Sequence, residues 1–77
     1  MKKKKFDTFG QKLKFMLFER ELTQAALSEL SGISLPTISS WVYDKRIPSI
    51  PSFMIVADAL ELTNEEIIDL LKTFRVT

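Results

Sequence analysis

Among side chains able to do chemistry, this 77-residue sequence offers hydroxyls, carboxylates, ammonium and guanidinium groups, but no imidazole and no thiol. Without His or Cys, a structural zinc site, a Ser-His-Asp or Cys-His nucleophile and a dithiol redox centre all lack their chemistry. Ser and Lys are present, yet no spacing argues that one activates the other. An enzyme is therefore not expected, and no cofactor or metal is implied. What remains is charge. Eleven Lys and Arg against ten Asp and Glu give a net charge of +1, but residues 1–20 carry a balance of +5, residues 21–46 of −1 and residues 47–77 of −3. A basic front and an acidic back suit a domain that turns one side toward a polyanion. The front is dominated by Lys2, Lys3, Lys4 and Lys5, and a second basic pair, Lys45 and Arg46, stands mid-chain. Both groups also have a plainer reading as solvated surface, since like-charge runs are commonly disordered.

The elements that must position these charges are helices. Apolar residues recur at spacings of three and four through almost the whole length, with no sustained period-two stretch, so the fold class is all-α. A hydrophobic fraction of 45% with two Gly and three Pro fits one compact domain, expected over residues 8–77 behind a flexible basic arm at residues 1–7. The first helix is expected from about Thr8 to Arg20, with Phe9, Leu13, Met16 and Leu17 on one face. Three later starts share a Ser or Thr cap flanked by apolar residues: Leu22, Thr23, Leu27; Ile33, Ser34, Ile38; and Leu62, Thr63, Ile67. Glu66 completes a capping box on the last of them. Helix four is expected to begin at the cap Ser49, with Pro51 in its first turn, where a missing N–H is harmless. The basic opening is followed by Phe6, Asp7 and Thr8 rather than an apolar stretch, and the longest apolar run is far short of a membrane span. A cytoplasmic protein is expected.

Only Ser31, Gly32 and Ile33 separate helices two and three, with Gly32 able to take positive φ, which is the sequence form of a helix-turn-helix. The stretch Thr23 to Pro48, TQAALSELSGISLPTISSWVYDKRIP, resembles the Cro and CI repressor family of helix-turn-helix DNA-binding domains, also called XRE-type. Helix four and ADALELTNEEII, Ala57 to Ile68, are similar to the closing helices of the same lambda-repressor-like five-helix fold, so the likeness covers roughly residues 8–68. Three departures bear on mechanism. Ser28 replaces a frequent Ala and can bond back to its own helix. Asp44 replaces the usual Gly after helix three, where it can still take a left-handed cap. Leu17 and Val42 replace an Arg and a Glu that form a buried ion pair in many members. Losing both charges together avoids stranding either one, so Leu17 and Val42 are expected to touch.

At about 100° per residue, Ile38, Trp41 and Val42 of helix three point to the core and Pro36, Ser40 and Tyr43 point away from it. The resemblance places Leu35, Pro36 and Ser40 at positions that read base edges, with Thr37 and Ser39 beside them. None is Arg, Lys, Asn or Gln, so bidentate pairings to guanine or adenine are missing and modest discrimination is expected, aided by DNA shape. Phosphate contacts are expected from Gln24, Ser34, Tyr43, Lys45 and Arg46, with Lys2 to Lys5 as an arm along the DNA. Beyond Ile68 an apolar stripe of Leu70, Leu71 and Phe74 needs cover, either on helix one or against a second copy. The homodimer is the favoured reading, and Leu30 is a second apolar patch. The function implied is a sequence-specific double-stranded DNA-binding regulator, a small phage- or mobile-element-type repressor. The alternative is a protein-interaction module of the same fold, antitoxin-like or binding another regulatory protein.

Overall fold

A computed structural model describes residues 8–74. The arm residues Lys2 to Lys5 and the 1–7 boundary lie outside them. Five α-helices occur among the described residues: α1 (Phe9–Glu19), α2 (Gln24–Ser31), α3 (Leu35–Val42), α4 (Ile50–Leu60) and α5 (Asn64–Leu71), followed by a 3-10 turn at Lys72–Phe74. None of these helices is long and apolar enough to cross a membrane.

One device starts every helix. Thr8, Thr23, Ser34, Ser49 and Thr63 each hold extended backbone while the side-chain oxygen accepts an N–H from the first turn, which satisfies a donor that the helix itself cannot. The capping box expected at Thr63 and Glu66 forms, and a second one joins Thr8 to Gln11. A second device ends three of the helices. Glu21, Asp44 and Glu61 take φ of 57°, 59° and 54°, and the next residue sends its N–H five residues back: Leu22 to Leu17, Lys45 to Ser40, Leu62 to Ala57. Glycine normally fills such left-handed positions because other residues place Cβ against a carbonyl there. Gly32 does so at the end of α2, with φ of 79°.

The core is assembled from every helix. Leu13 and Leu17 of α1, Leu27 of α2, Ile38, Trp41 and Val42 of α3, Phe53 and Val56 of α4 and Leu70 of α5 are all buried. Leu17 and Val42 are both members of this apolar cluster. An aromatic group closes one side: the Phe9 ring meets Trp41, Phe53 and Phe74 edge-on at centroid distances of 6.5, 6.2 and 5.5 Å. Edge-to-face geometry sets the positive rim of one ring against the negative face of the next.

Two expectations are corrected here. Leu70 is fully buried, and Phe74 rests on Phe9 and Phe53. The stripe read as a dimer face therefore folds back onto the chain's own core, and Leu71 alone of the three is left at the surface, 38% exposed. Ser28 does not bond back within its helix. Its hydroxyl donates across the turn to the Ile33 carbonyl at 2.6 Å, while Ser31 donates to Leu27 and accepts from the Ile33 N–H. These bonds brace the tight turn that sets α2 and α3 against each other.

Candidate nucleic-acid interface

The site is built on α3, an eight-residue helix with two unlike sides. Ile38, Trp41 and Val42 are its buried side. Leu35, Pro36 and Thr37 are exposed, and Ser39 and Ser40 are half-buried at the edges of that outer face. The first turn begins with Leu35 and Pro36, and proline at this place loses no helical hydrogen bond. The face expected to read base edges is thus presented to solvent, with Leu35 41% exposed.

Its far end is fixed by an interaction with α1 that the sequence did not reveal. The Asp44 carboxylate accepts the backbone N–H of Gly10 at 2.9 Å and the hydroxyl of Thr8 at 2.8 Å. No acidic residue lies in the first turn of α1, so Asp44 supplies from outside the negative charge that a helix N-terminus favours. Gly10 permits this approach. A Cβ there would lie 2.5 Å from the Trp41 carbonyl oxygen and would also collide with that of Val42. The turn after α3 then folds over its last carbonyls: Asp44 N–H returns to Trp41, and the N–H groups of Lys45 and Arg46 both return to Ser40. The backbone that carries the two cations is consequently held, although their side chains are exposed.

Gln24 sits at the first position of α2, half-buried, where its Oε1 accepts the Ser39 hydroxyl at 2.8 Å. That bond turns the amide so that its NH₂, a double donor, is left for an outside acceptor. Ser34, expected at a phosphate, instead uses its hydroxyl within the cap: it accepts from the Thr37 N–H and donates to Thr37 Oγ1 at 2.8 Å. Tyr43 is exposed at the end of α3, with the Lys14 ammonium 5.9 Å above its ring, within the range of a cation–π attraction.

Beside the outer face lies an open cleft of about 510 Å³, whose lining includes Pro36, Thr37 and Ser40 of α3 together with Arg46, Ser49 and Ser52. In the sequence, Ser49 reads only as a cap. The structure places it, with Ser52 of α4, in the lining of the same cleft as Pro36, Thr37 and Ser40. The signal that could have found this was the short connection from Tyr43 to Ser49, which keeps the start of α4 near the end of α3.

Arg20 and Glu66 complete the frame away from this face. Arg20 meets both Glu66 oxygens at 3.1 and 3.3 Å and donates to the Leu60 carbonyl at 3.2 Å. Glu66 is held below the usual carboxylate range, first by the Thr63 backbone N–H and also by Arg20, against an opposing desolvation effect.

No curated protein and no solved structure matches the chain. The family model for the helix-turn-helix matches residues 14–67, a span that includes α2, the tight turn and α3, and that covers most of the chain. With the fold in agreement, the chain belongs to the helix-turn-helix family of the Cro/CI, or XRE, type.

Proposed function

We propose that the protein is a small sequence-specific transcriptional repressor that inserts α3 into the major groove of double-stranded DNA. A helix-turn-helix domain implies DNA binding, and the observation that carries the finer reading is the exposed N-terminal half of α3. Leu35, Pro36 and Thr37 stand clear of the chain, framed by donors that suit phosphate: the Gln24 amide on one side, and Tyr43, Lys45 and Arg46 at the other end. The ammonium groups of Lys2 to Lys5 add charge to the same polyanion contact. Each phosphate neutralised releases counterions, so affinity should fall steeply as salt rises.

The reading includes two copies on adjacent half-sites about one helical turn apart, because a single α3 without Arg, Lys, Asn or Gln makes few strong base contacts. With Leu70 and Phe74 taken into the core, the exposed apolar side chains that could meet a second copy include Leu30, Ile68 and Leu71. On DNA the protein would act inside the cell.

The test is duplex binding by the full chain over a range of salt concentrations. Charge reversal of Lys45 and Arg46 together should lower affinity on every sequence and flatten the salt slope by about two. Salt-insensitive binding, or unchanged affinity in the reversed variant, would remove the support for this reading in favour of a protein-binding role for Leu30 and Leu35.

A further inference from the structure

The hydroxyls on the outer side of α3 look interchangeable in the sequence, but the structure gives each a direction. Ser40 Oγ lies 2.6 Å from the carbonyl oxygen of Thr37. A carbonyl can only accept, so the Ser40 proton points into the helix and the oxygen shows the outside its lone pairs alone. Ser34 donates to Thr37 Oγ1 and Ser39 to Gln24 Oε1, each at 2.8 Å. Beside these acceptors the exposed face carries the hydrocarbon of Leu35 and Pro36. The proton of Thr37 is a single donor, which adenine N7 takes as readily as guanine N7, so it does not decide between them.

A face of lone pairs and hydrocarbon has a definite complement in the major groove. Guanine shows only acceptors there, N7 and O6, and would face the Ser40 lone pairs with no proton between them. Cytosine has an amino donor but no methyl group. Only the A·T pair offers an amino donor, adenine N6, together with a methyl group, on thymine. Resting on the reading of α3 as the groove-inserted helix, we infer that this face selects A·T pairs, with Ser40 Oγ accepting from adenine N6 and Leu35 and Pro36 packing on thymine methyls. Specificity then comes from what the helix lacks: with no bidentate side chain, it chooses by matching an acceptor and an apolar surface.

Selection of bound fragments from random duplexes by the full chain identifies the half-site, and base analogues then test how it is read. An A·T pair should occur in the selected core, and replacing it by G·C should cost roughly 5- to 150-fold in affinity. Deoxyuridine in place of its thymidine removes one methyl and should cost roughly fourfold. An inosine·cytosine pair keeps the minor-groove edge of A·T but presents the major-groove edge of G·C, so it should bind as weakly as G·C. The S40A variant should keep only the roughly fourfold part of that preference that the thymine methyl supplies, while melting at an unchanged temperature, because Ser40 lies at the helix surface. Salt-sensitive binding that is indifferent to uracil, or that accepts inosine·cytosine as well as A·T, would overturn this inference and leave the DNA-binding reading standing. Absence of salt-sensitive duplex binding would overturn both.

Discussion

The two halves of α3 follow opposite rules. Its C-terminal half gives up freedom: Trp41 and Val42 are buried, the turn beyond them folds onto Ser40 and Trp41, and Asp44 reaches across to α1. The N-terminal half keeps a free surface, with the Ser34 and Thr37 hydroxyls bonded to each other and the hydrocarbon of Leu35 and Pro36 exposed, and Ser40, bonded back to the Thr37 carbonyl, extends that outer face. An eight-residue helix is too short to be stable alone in water, so the buried half must supply the rigidity that lets the other half select a partner. Substitutions of the buried C-terminal residues should therefore change stability, and substitutions on the outer face, Ser40 included, should change recognition.

The largest break in this contrast should come from W41A. Removing an aromatic side chain from a packed core costs roughly 3–5 kcal/mol, a large share of the ~4–12 kcal/mol expected for a domain of this length. Phe9 also loses its edge-on neighbour. Urea denaturation followed by circular dichroism should show a midpoint collapse, with DNA binding lost at the same time. G10A should cost about 1–3 kcal/mol, because the added methyl collides with backbone carbonyls at the end of α3 that cannot swing aside.

Helix ends give a finer comparison. Glu21, Asp44 and Glu61 share the left-handed conformation, and glycine relieves its steric cost of roughly 1–2 kcal/mol per residue, though it loses part of that to unfolded-state entropy. E61G should consequently stabilise by up to about 1 kcal/mol. D44G should destabilise instead, by about 1 kcal/mol, because it also removes two hydrogen bonds to a carboxylate at the start of α1. Opposite signs in thermal melts of these two variants would isolate the contribution of the Asp44 anchor. Equal signs would mean that the α1–α3 junction does not depend on it.

These residues also mark how far the sequence could be read. Five helix starts, the turn at Gly32 and the inward triad of Ile38, Trp41 and Val42 follow from caps and periodicity, which are local and visible in one dimension. The left-handed turn at Asp44 is legible only through the family resemblance, which puts a Gly at that position. Its carboxylate was not, because a bond to Gly10 joins residues 34 apart and depends on a missing Cβ in another helix. The apolar stripe at Leu70 and Phe74 was visible as unpaired, but periodicity says only that such a face needs cover, not whose. Hydroxyl direction was hidden for a similar reason: Ser39 and Ser40 read alike in a sequence, and their partners, Gln24 Oε1 and the Thr37 carbonyl, are assigned by three-dimensional structure alone.

A pH titration probes the anchoring side at α5. The folded-state affinity of Glu66 for its proton is lowered, chiefly by the Thr63 N–H and then by Arg20, whereas an unfolded Glu titrates near a pKa of about 4.3. A depressed carboxylate contributes stability that is fully present above the unfolded value and is lost as pH falls through the folded one. Melting temperature should thus fall from about pH 5 downward, and part of that fall should vanish in E66Q, which keeps the size of the side chain but has no proton to gain. An E66Q curve parallel to that of the unmodified chain would mean that other carboxylates dominate the acid transition.

At the exposed end of α3 the smallest stability effects are expected, and they complete the contrast. T37A should shift stability by no more than about 0.5 kcal/mol, the usual range for a surface position. Thr37 is exposed, and although its hydroxyl accepts from Ser34, the cap bond from the Thr37 N–H to Ser34 Oγ is a backbone contact that Ala retains. Freed from Thr37, the Ser34 proton becomes available as a donor at the edge of the reading face. A variant that melts with the unmodified protein but tolerates a guanine where the original chain prefers adenine would place recognition in the free half of α3, apart from the residues that hold the helix in place.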